Sequence, residues 1–291
     1  MRSLIKFSGF QYLIFGLAII LTQETFAQPI QETRVMTYNI RYKNSIDSIN
    51  IWENRKDNVA ALIQYHQADI VGLQEAFLVQ ITDLEKRLPE YKWYGVPRMS
   101  GANGEFTPIF YRTDKYLLLD SGSFWYSETP YVKESKSWDA MYPRIASWCK
   151  FRDKKTGVEF FFFNTHFDHM GEVARQKSAE ILRKQIDSIT LKLPVIVTGD
   201  FNSQPSSVAY KNMIGNNVLK DALDISTIPH YGPINTAGGF AVSTKPIRAR
   251  IDYIFVNKKV NVLQHATLTD QQEGRYYSDH LPVIAVVEIS P

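Results

Sequence analysis

The stretch Val195-Ile196-Val197-Thr198-Gly199-Asp200-Phe201-Asn202 decides how this chain folds. Three branched aliphatic residues running into threonine read as a short strand buried on both faces, as in an α/β protein. The strand ends in polar residues, and that ending recurs. Asn39 follows Met36-Thr37-Tyr38, Glu75 follows Val71-Gly72-Leu73-Gln74, and His166 follows Phe163-Asn164-Thr165. Asp252 opens the apolar run 251–256, and Asp279-His280 immediately precede the run 282–287. Burying carboxylates and amides at such ends is costly unless they are paired, hydrogen-bonded or bound to metal. Several ends converging is how a rigid sheet builds a catalytic cleft. Oxygen-rich ligation by Asn39, Glu75 and an aspartate suits a hard cation, Mg²⁺ or Mn²⁺, better than zinc.

Outward from these ends, strands and helices alternate. Between the runs 34–38 and 70–73, Val59, Ala60, Leu62 and Ile63 fall at helical spacing. Leu78, Ile81, Leu84 and Leu88 mark a second helix, closed by Pro89. The runs 147–152 and 158–165 flank Asp153-Lys154-Lys155-Thr156-Gly157, a hairpin signal. A long helix is expected over about 173–190, with Ala179, Leu182, Ile186 and Ile189 on one face. No internal repeat interrupts this order, which predicts helices packed outside two central sheets.

The 291 residues are 44% hydrophobic and 22% charged, which excludes a disordered chain, a collagen-like repeat and a multi-span membrane protein. Thirty-three Lys and Arg against 30 Asp and Glu leave too little charge to coat nucleic acid, so any anion is held locally. A single cysteine, Cys149, rules out an intrachain disulfide or a cysteine-rich zinc module and is expected to be buried and inert. Arg2 and Lys6 precede the apolar residues 12–21 and the small-residue ending Thr25-Phe26-Ala27, the order of a secretory signal peptide over 1–27. One domain, 28–291, would follow. Cleavage would remove Arg2, Lys6 and Glu24 and leave a net charge of +2. The apolar core is shorter than the ~20 residues that span a bilayer, so no membrane span is expected after cleavage. The protein is expected to be exported, periplasmic or secreted, and monomeric.

The ordered set Tyr38-Asn39, Leu73-Gln74-Glu75, Asn164-Thr165-His166, Gly199-Asp200-Phe201-Asn202, Arg250-Ile251-Asp252-Tyr253 and Ser278-Asp279-His280-Leu281-Pro282 resembles the endonuclease/exonuclease/phosphatase superfamily. That family includes deoxyribonuclease I, abasic-site endonucleases, deadenylases such as nocturnin, inositol-polyphosphate 5-phosphatases and neutral sphingomyelinases. Spacing around Asn39-Ile40-Arg41 and Asn164-Thr165-His166 looks closer to the deadenylase and nocturnin branch than to abasic-site enzymes. The resemblance implies a deoxyribonuclease I-like four-layer α/β sandwich, with two mixed β-sheets flanked by helices, and metal-dependent phosphoester hydrolysis.

It also implies roles. Asn39, Glu75 and Asp279 resemble metal-binding residues. His280 resembles the histidine that acts as general base or phosphate donor, and Asp252 the carboxylate that orients it. Asp200 matches the residue beside the attacking water, Asn202 a phosphate donor, and His166 the group that assists the leaving oxygen. Each has an ordinary reading alone. Asn39 could cap a turn, Glu75 could be a solvated carboxylate, Asp200 could close a turn with Asn202, and His280 could be a structural hydrogen bonder. Arg41, Arg112, Arg144, Arg250 and Arg275, with Asp168 and His169, are the expected substrate contacts, and Arg55 is a further candidate. Lys245 and Arg248 precede Arg250 and are expected at the same cleft. Trp52 and Trp138 are assigned to packing. Asn164-x-His166-x-Asp168-His169 also resembles the His-x-His-x-Asp-His loop of metallo-β-lactamase-like enzymes, but its first histidine is Asn164 and no full zinc set accompanies it.

The expected activity is an exported Mg²⁺- or Mn²⁺-dependent phosphodiesterase of nuclease type, acting on nucleic acid or a nucleotide-like fragment. The alternative keeps the chemistry and changes the substrate to a phosphomonoester, an inositol phosphate or a phospholipid head group. A catalytically dead binding protein on the same scaffold is the alternative of another class.

Overall fold

The structure, a computed structural model, describes residues 31–101, 104–243 and 249–290. The expected signal peptide, 1–27, lies outside the described residues, as do Lys245 and Arg248. The elements are β1 (Glu32–Asn39), α1 (Trp52–Tyr65), β2 (Ile70–Gln74), α2 (Leu78–Arg87), β3 (Tyr91–Tyr94), β4 (Ile109–Arg112) and β5 (Tyr116–Trp125). They continue as β6 (Ile145–Asp153), β7 (Glu159–His166), α3 (Glu172–Ile189), β8 (Val195–Asp200), α4 (Val208–Ile214), β9 (Leu219–Asp221) and α5 (Ala222–Ile225). The last are β10 (Asp252–Asn257), β11 (Val260–Thr267), the short hairpin strands β12 (Gln271–Gln272) and β13 (Arg275–Tyr276), and β14 (Val283–Ile289). One six-stranded sheet has the order β11-β14-β1-β2-β4-β3 and the other β5-β6-β7-β8-β10-β9. Both are mixed: β1 and β2 run parallel, as do β7 and β8, and the remaining pairs are antiparallel.

Strand periodicity sorts the core into layers, because successive side chains point to opposite faces. Val35, Ile70, Phe160, Phe162, Ile196, Ile254 and Val256 fall on the inner faces and pack sheet against sheet. The residues between them point outward. Met36, Tyr38, Val71 and Leu73 meet α1 and α2 through Val59, Leu62, Ile63, Ile81 and Leu84. Phe161, Phe163, Val195, Val197 and Phe255 meet α3 and α4 through Ala179, Leu182, Ile186 and Met213. The result is helix, sheet, sheet, helix. Cys149 and Trp52 are fully buried, as expected.

The inner faces are graded in polarity along the strands. On β7 the inward series is Phe160, Phe162, Asn164, His166; on β8 it is Ile196, Thr198, Asp200; on β1 it is Val35, Thr37, Asn39. Apolar residues fill one end, amides and hydroxyls the middle, and charged groups the other end. The middle is a hydrogen-bonded bridge. Asn164 Nδ2 donates to the Leu73 carbonyl (2.7 Å) and the Pro108 carbonyl (3.0 Å), while Asn164 Oδ1 accepts from Gln74 Nε2 (2.7 Å) and Thr198 Oγ1 (3.2 Å). Gly72 makes this approach possible, since a Cβ there would stand 2.3 Å from Thr198 Oγ1 and 2.5 Å from Asn164 Oδ1.

Candidate active site

Register lines up the polar ends. His166 pairs with Asp200 across β7 and β8, and Asp200 with Asp252 across β8 and β10, so an imidazole and two carboxylates stand in one row. On the facing sheet Asn39 pairs with Gln74, which places Glu75 directly beside it. Arg41, Glu75 and Asn202 all have φ between 46° and 59°, a left-handed backbone uncommon for these residues that re-aims their side chains as each strand ends. The ends enclose a cleft of about 700 Å³ lined by Arg41, Glu75, His166, Asp200, Asn202 and His280, with Arg98, Glu105, Tyr142, Arg144 and His169 in its other wall.

At its floor His280 Nδ1 is 2.9 Å from Asp252 Oδ2, which also accepts from Thr236 Oγ1. His280 Nε2 is 3.8 Å from Asp200 Oδ2. Burial alone would lower the His280 pKa, but Asp252 and Asp200 outweigh it and hold the imidazole well above its ordinary value. Asp200 responds in the opposite sense. Burial first and Asp252 second push its carboxyl up to about 7, against the pull of His280. Its Oδ1 accepts from Asn202 N (2.9 Å) and its Oδ2 from Asn39 Nδ2 (3.0 Å). His166 lies 3.6 Å from Asp200 and 3.1 Å from Asn202 Nδ2. Burial, reinforced by Arg144 and Arg98, drives its pKa well down and leaves it neutral.

Glu75 Oε1 accepts from Asn39 Nδ2 (3.1 Å) and Oε2 from Tyr42 N (3.1 Å). Asp279 stands close by, its Oδ2 3.9 Å from Arg41 Nη1, and Ser278 Oγ ties this segment to the Asn39 carbonyl at 2.7 Å. Burial raises the Asp279 pKa, His280 opposes that shift, and the neighbouring Glu75 charge adds to it. Glu75 and Asp279, two neighbouring carboxylates, one raising the proton affinity of the other, form an all-oxygen donor pair that fits a hard divalent cation. Asn39, expected among the metal ligands, turns its Nδ2 to Glu75 and Asp200 and engages its Oδ1 with Arg41 N at 3.0 Å, so it positions the carboxylates instead. Asp200, Asp252 and His280 also bring one donor atom each within 4.8 Å of one another. There the Nδ1 nitrogen is already engaged by Asp252, so only Nε2 is left for a metal.

The structure therefore brings together Asn39, Glu75, Asp279, Asp252, His280, Asp200, Asn202, His166, Arg41, Arg144 and His169. Four expected substrate contacts are corrected. Arg112 ends β4 beside Asp69, at the far end of β2 from Glu75, and pairs with exposed Asp114 at 2.7 Å. Arg250 turns away into a buried pair with Asp221, 2.7 Å to both oxygens, with Tyr253 under its guanidinium. Arg275 lies exposed on the β12–β13 hairpin and does not line the cleft. Asp168 is fully buried, and its oxygens accept from the backbone of Met141, Met170 and Gly171 and from Arg144, so it shapes the wall without touching substrate. The same saturation leaves Asp168 no free lone pair for zinc. Arg55 is also structural: it donates to the carbonyls of Ile40, Arg41, Asn50 and Tyr277, strapping the loop after β1 to the segment before Asp279.

Sequence reasoning missed Arg98, Glu105, Tyr142 and Lys43, which complete the cleft. Arg98 and Glu105 had one signal, seven positions apart with opposite charge. They form a 2.6 Å ion pair that closes their loop.

The sequence matches the Endonuclease/Exonuclease/phosphatase family over residues 36–280. Among solved structures, the endonuclease/exonuclease/phosphatase from Bacteroides vulgatus is 41% identical, covers 89% of this chain and all of its own, and superposes with a TM-score of 0.84. The mannosyl-6-phosphatase of Bacteroides thetaiotaomicron is 39% identical over 88% of this chain and 99% of its own, with a TM-score of 0.83. Human nocturnin is 26% identical over 259 residues, 80% of this chain and 57% of nocturnin. The four-layer architecture, the row of site residues and these matches agree: the chain belongs to the endonuclease/exonuclease/phosphatase family of phosphoester hydrolases.

Proposed function

We propose that this protein is an exported, divalent-metal-dependent phosphomonoesterase that releases phosphate from a small phosphorylated molecule of the sugar-phosphate class. One observation carries the reading: among the described residues, the arginines and lysine of the cleft are Arg41, Lys43, Arg98 and Arg144, and the two arginines on the His166 side are buried in its wall. A polyanion needs basic groups that track along a surface. Arg112, Arg250 and Arg275, the candidates for such a track, lie elsewhere or are already paired. A compact cleft with buried donors suits a substrate that enters whole. The relative that is 39% identical and described as a mannosyl-6-phosphatase supports the same substrate class. Export rests on the N-terminal leader pattern alone and is tested by sequencing the mature N-terminus.

Bound by Glu75 and Asp279, Mg²⁺ or Mn²⁺ would neutralise phosphoryl oxygens. The other groups have roles of their own. Asp200, anchored by Asn39 and Asn202, accepts a proton from the attacking water. His280, oriented by Asp252, donates a hydrogen bond to the phosphoryl group. Asn202, expected as a phosphate donor, instead spends its Nδ2 on His166 and the Phe167 carbonyl and so positions His166. Neutral His166 hydrogen-bonds the leaving oxygen. The test is a phosphate-release screen of hexose phosphates beside DNA and RNA oligonucleotides, with and without Mg²⁺. Release from hexose phosphates that a chelator abolishes is expected; oligonucleotide cleavage without release from any monoester overturns the reading.

A further inference from the structure

We infer that the wall formed by Arg98, Tyr142, Arg144 and His169 is a subsite for the neutral, hydroxyl-rich part of the substrate, recognising the sugar rather than the phosphate. This rests on the phosphomonoesterase reading and adds the residues that choose the leaving group. Arg98 and Arg144 are buried, their side chains 8% and 4% exposed. Each cation is already matched: Arg98 Nη2 pairs with Glu105 (2.6 Å), and Arg144 Nε lies 3.4 Å from Asp168. Arg144 Nη2 donates to His169 Nδ1 at 2.8 Å, which leaves the other nitrogen of that exposed ring to carry the proton.

What remains is donors without net charge. Arg98 Nε, Arg98 Nη1 and Arg144 Nη1 have no hydrogen-bond partner. A buried donor left unpaired costs about 1–3 kcal/mol, and native structures keep few of them. The two guanidinium groups also line, with His166, a recess of about 10 Å³. That is about the room one water or one hydroxyl oxygen takes. The recess shares Arg98, Glu105, Arg144 and His166 with the main cleft, so a substrate hydroxyl entering from the cleft would meet these donors there. A second phosphate would bring charge that Glu105 and Asp168 have already offset. Hydroxyl and ring oxygens bring acceptors without net charge, and a guanidinium edge presents two donors side by side to them.

Flat surfaces complete the wall. The Arg98 guanidinium lies 4.9 Å from the centre of the Tyr142 ring, and Tyr142 stacks on His169 at 6.1 Å and 15°. Tyr142 is 38% exposed at the mouth, an aromatic face available to the apolar face of a sugar ring. His166 stands between this wall and Asp200, so the wall lies on the side assigned to the leaving group.

The test compares hexose 6-phosphate with ethyl phosphate, which has the same reacting group and no hydroxyls, using the full-length enzyme with Mg²⁺. Wild-type enzyme is expected to prefer the hexose phosphate. In Arg98→Lys, which keeps the charge and the Glu105 pair but loses the free donors, and in Tyr142→Ala, kcat/KM for the hexose phosphate should fall at least about ten-fold further than for ethyl phosphate, mainly through KM. Equal losses on both substrates mean that the wall only supports the fold and overturn the inference, as does wild-type indifference between them. Wild-type enzyme that hydrolyses neither monoester overturns the phosphomonoesterase reading instead.

Discussion

Truncating Asn164 to alanine should cost far more than its single amide suggests. Asn164 is fully buried between the sheets and uses both ends of its side chain. After truncation Gln74 keeps its bonds to Thr37 and the Gly72 carbonyl, and Thr198 keeps the Phe163 carbonyl, so the accepting half is partly replaced. The donating half fares worse. The Leu73 carbonyl loses its side-chain donor at depth, at roughly 1–3 kcal/mol, and the small cavity adds to this, whereas the Pro108 carbonyl keeps Leu73 N at 3.0 Å. A loss of about 2–4 kcal/mol is expected, which for a chain of this size lowers Tm by roughly 4–16 °C. Guanidinium unfolding followed by circular dichroism reads the difference. Asn164→Asp keeps the shape but turns a carboxylate oxygen toward two carbonyls, and should be at least as damaging. An alanine variant within about 1 kcal/mol of wild type, or an aspartate variant as stable as wild type, would refute the bridge.

Glu75→Gln keeps shape and removes charge, so turnover should fall on the order of 100-fold or more with Tm nearly unchanged, and chelator-resistant wild-type activity would sink the metal assignment. Asp252→Asn and His280→Ala should each cut turnover by orders of magnitude, with the double variant little worse than the poorer single, because bonded groups act as one unit; additive losses would separate them. Arg250→Ala should lower stability by about 3–5 kcal/mol by stranding Asp221, whereas Arg112→Ala and Arg275→Ala should leave KM where it was. Burial, reinforced by His230, lowers the pKa of His265 from 6.5 to about 3. The unfolded chain therefore binds the extra proton between those values, so stability falls by up to ~1.4 kcal/mol per pH unit as pH drops through that window, and His265→Gln should flatten that part of a urea-unfolding pH series.

How much of this was legible depended on what each strand touches. The strands β1, β2, β7, β8, β10 and β14 are covered on both faces and announce themselves as apolar runs. The β6–β7 turn was readable because Gly157 takes a φ of 76°, which a turn there demands. β5 was not readable. It is an edge strand, Tyr-Leu-Leu-Leu-Asp-Ser-Gly-Ser-Phe-Trp, with polar and apolar residues on both faces and a register shift between Leu118 and Asp120. β11 alternates, but a register shift between Val262 and Gln264 breaks its period. β3 and β4 have four residues each, too few for periodicity to emerge.

The site obeys a rule that the sequence alone does not display, namely strand direction. β1, β2, β7 and β8 point the same way relative to the cleft and deliver to it the residues at or just past their C-terminal ends: Asn39, Glu75, His166, Asp200. β4, β6, β10 and β14 are antiparallel to these neighbours and deliver residues at or before their N-terminal ends: Glu105, Arg144, Asp252, and Asp279 with His280. Direction sends Arg112, the last residue of an antiparallel strand, to the wrong end of the sheet, and brings Glu105, before that strand, to the right one. Arg250 passes the directional test and fails on electrostatics, because Asp221 at the end of β9 is buried there and needs a cation. Proximity in sequence to a catalytic residue is thus weak evidence for a substrate contact. An arginine near the site is free to meet substrate only when a buried carboxylate has not turned its guanidinium into the core, and Arg98 and Arg144 keep three unpaired donors beside the cleft where Arg250, its Nη2 set between both Asp221 oxygens, serves the core.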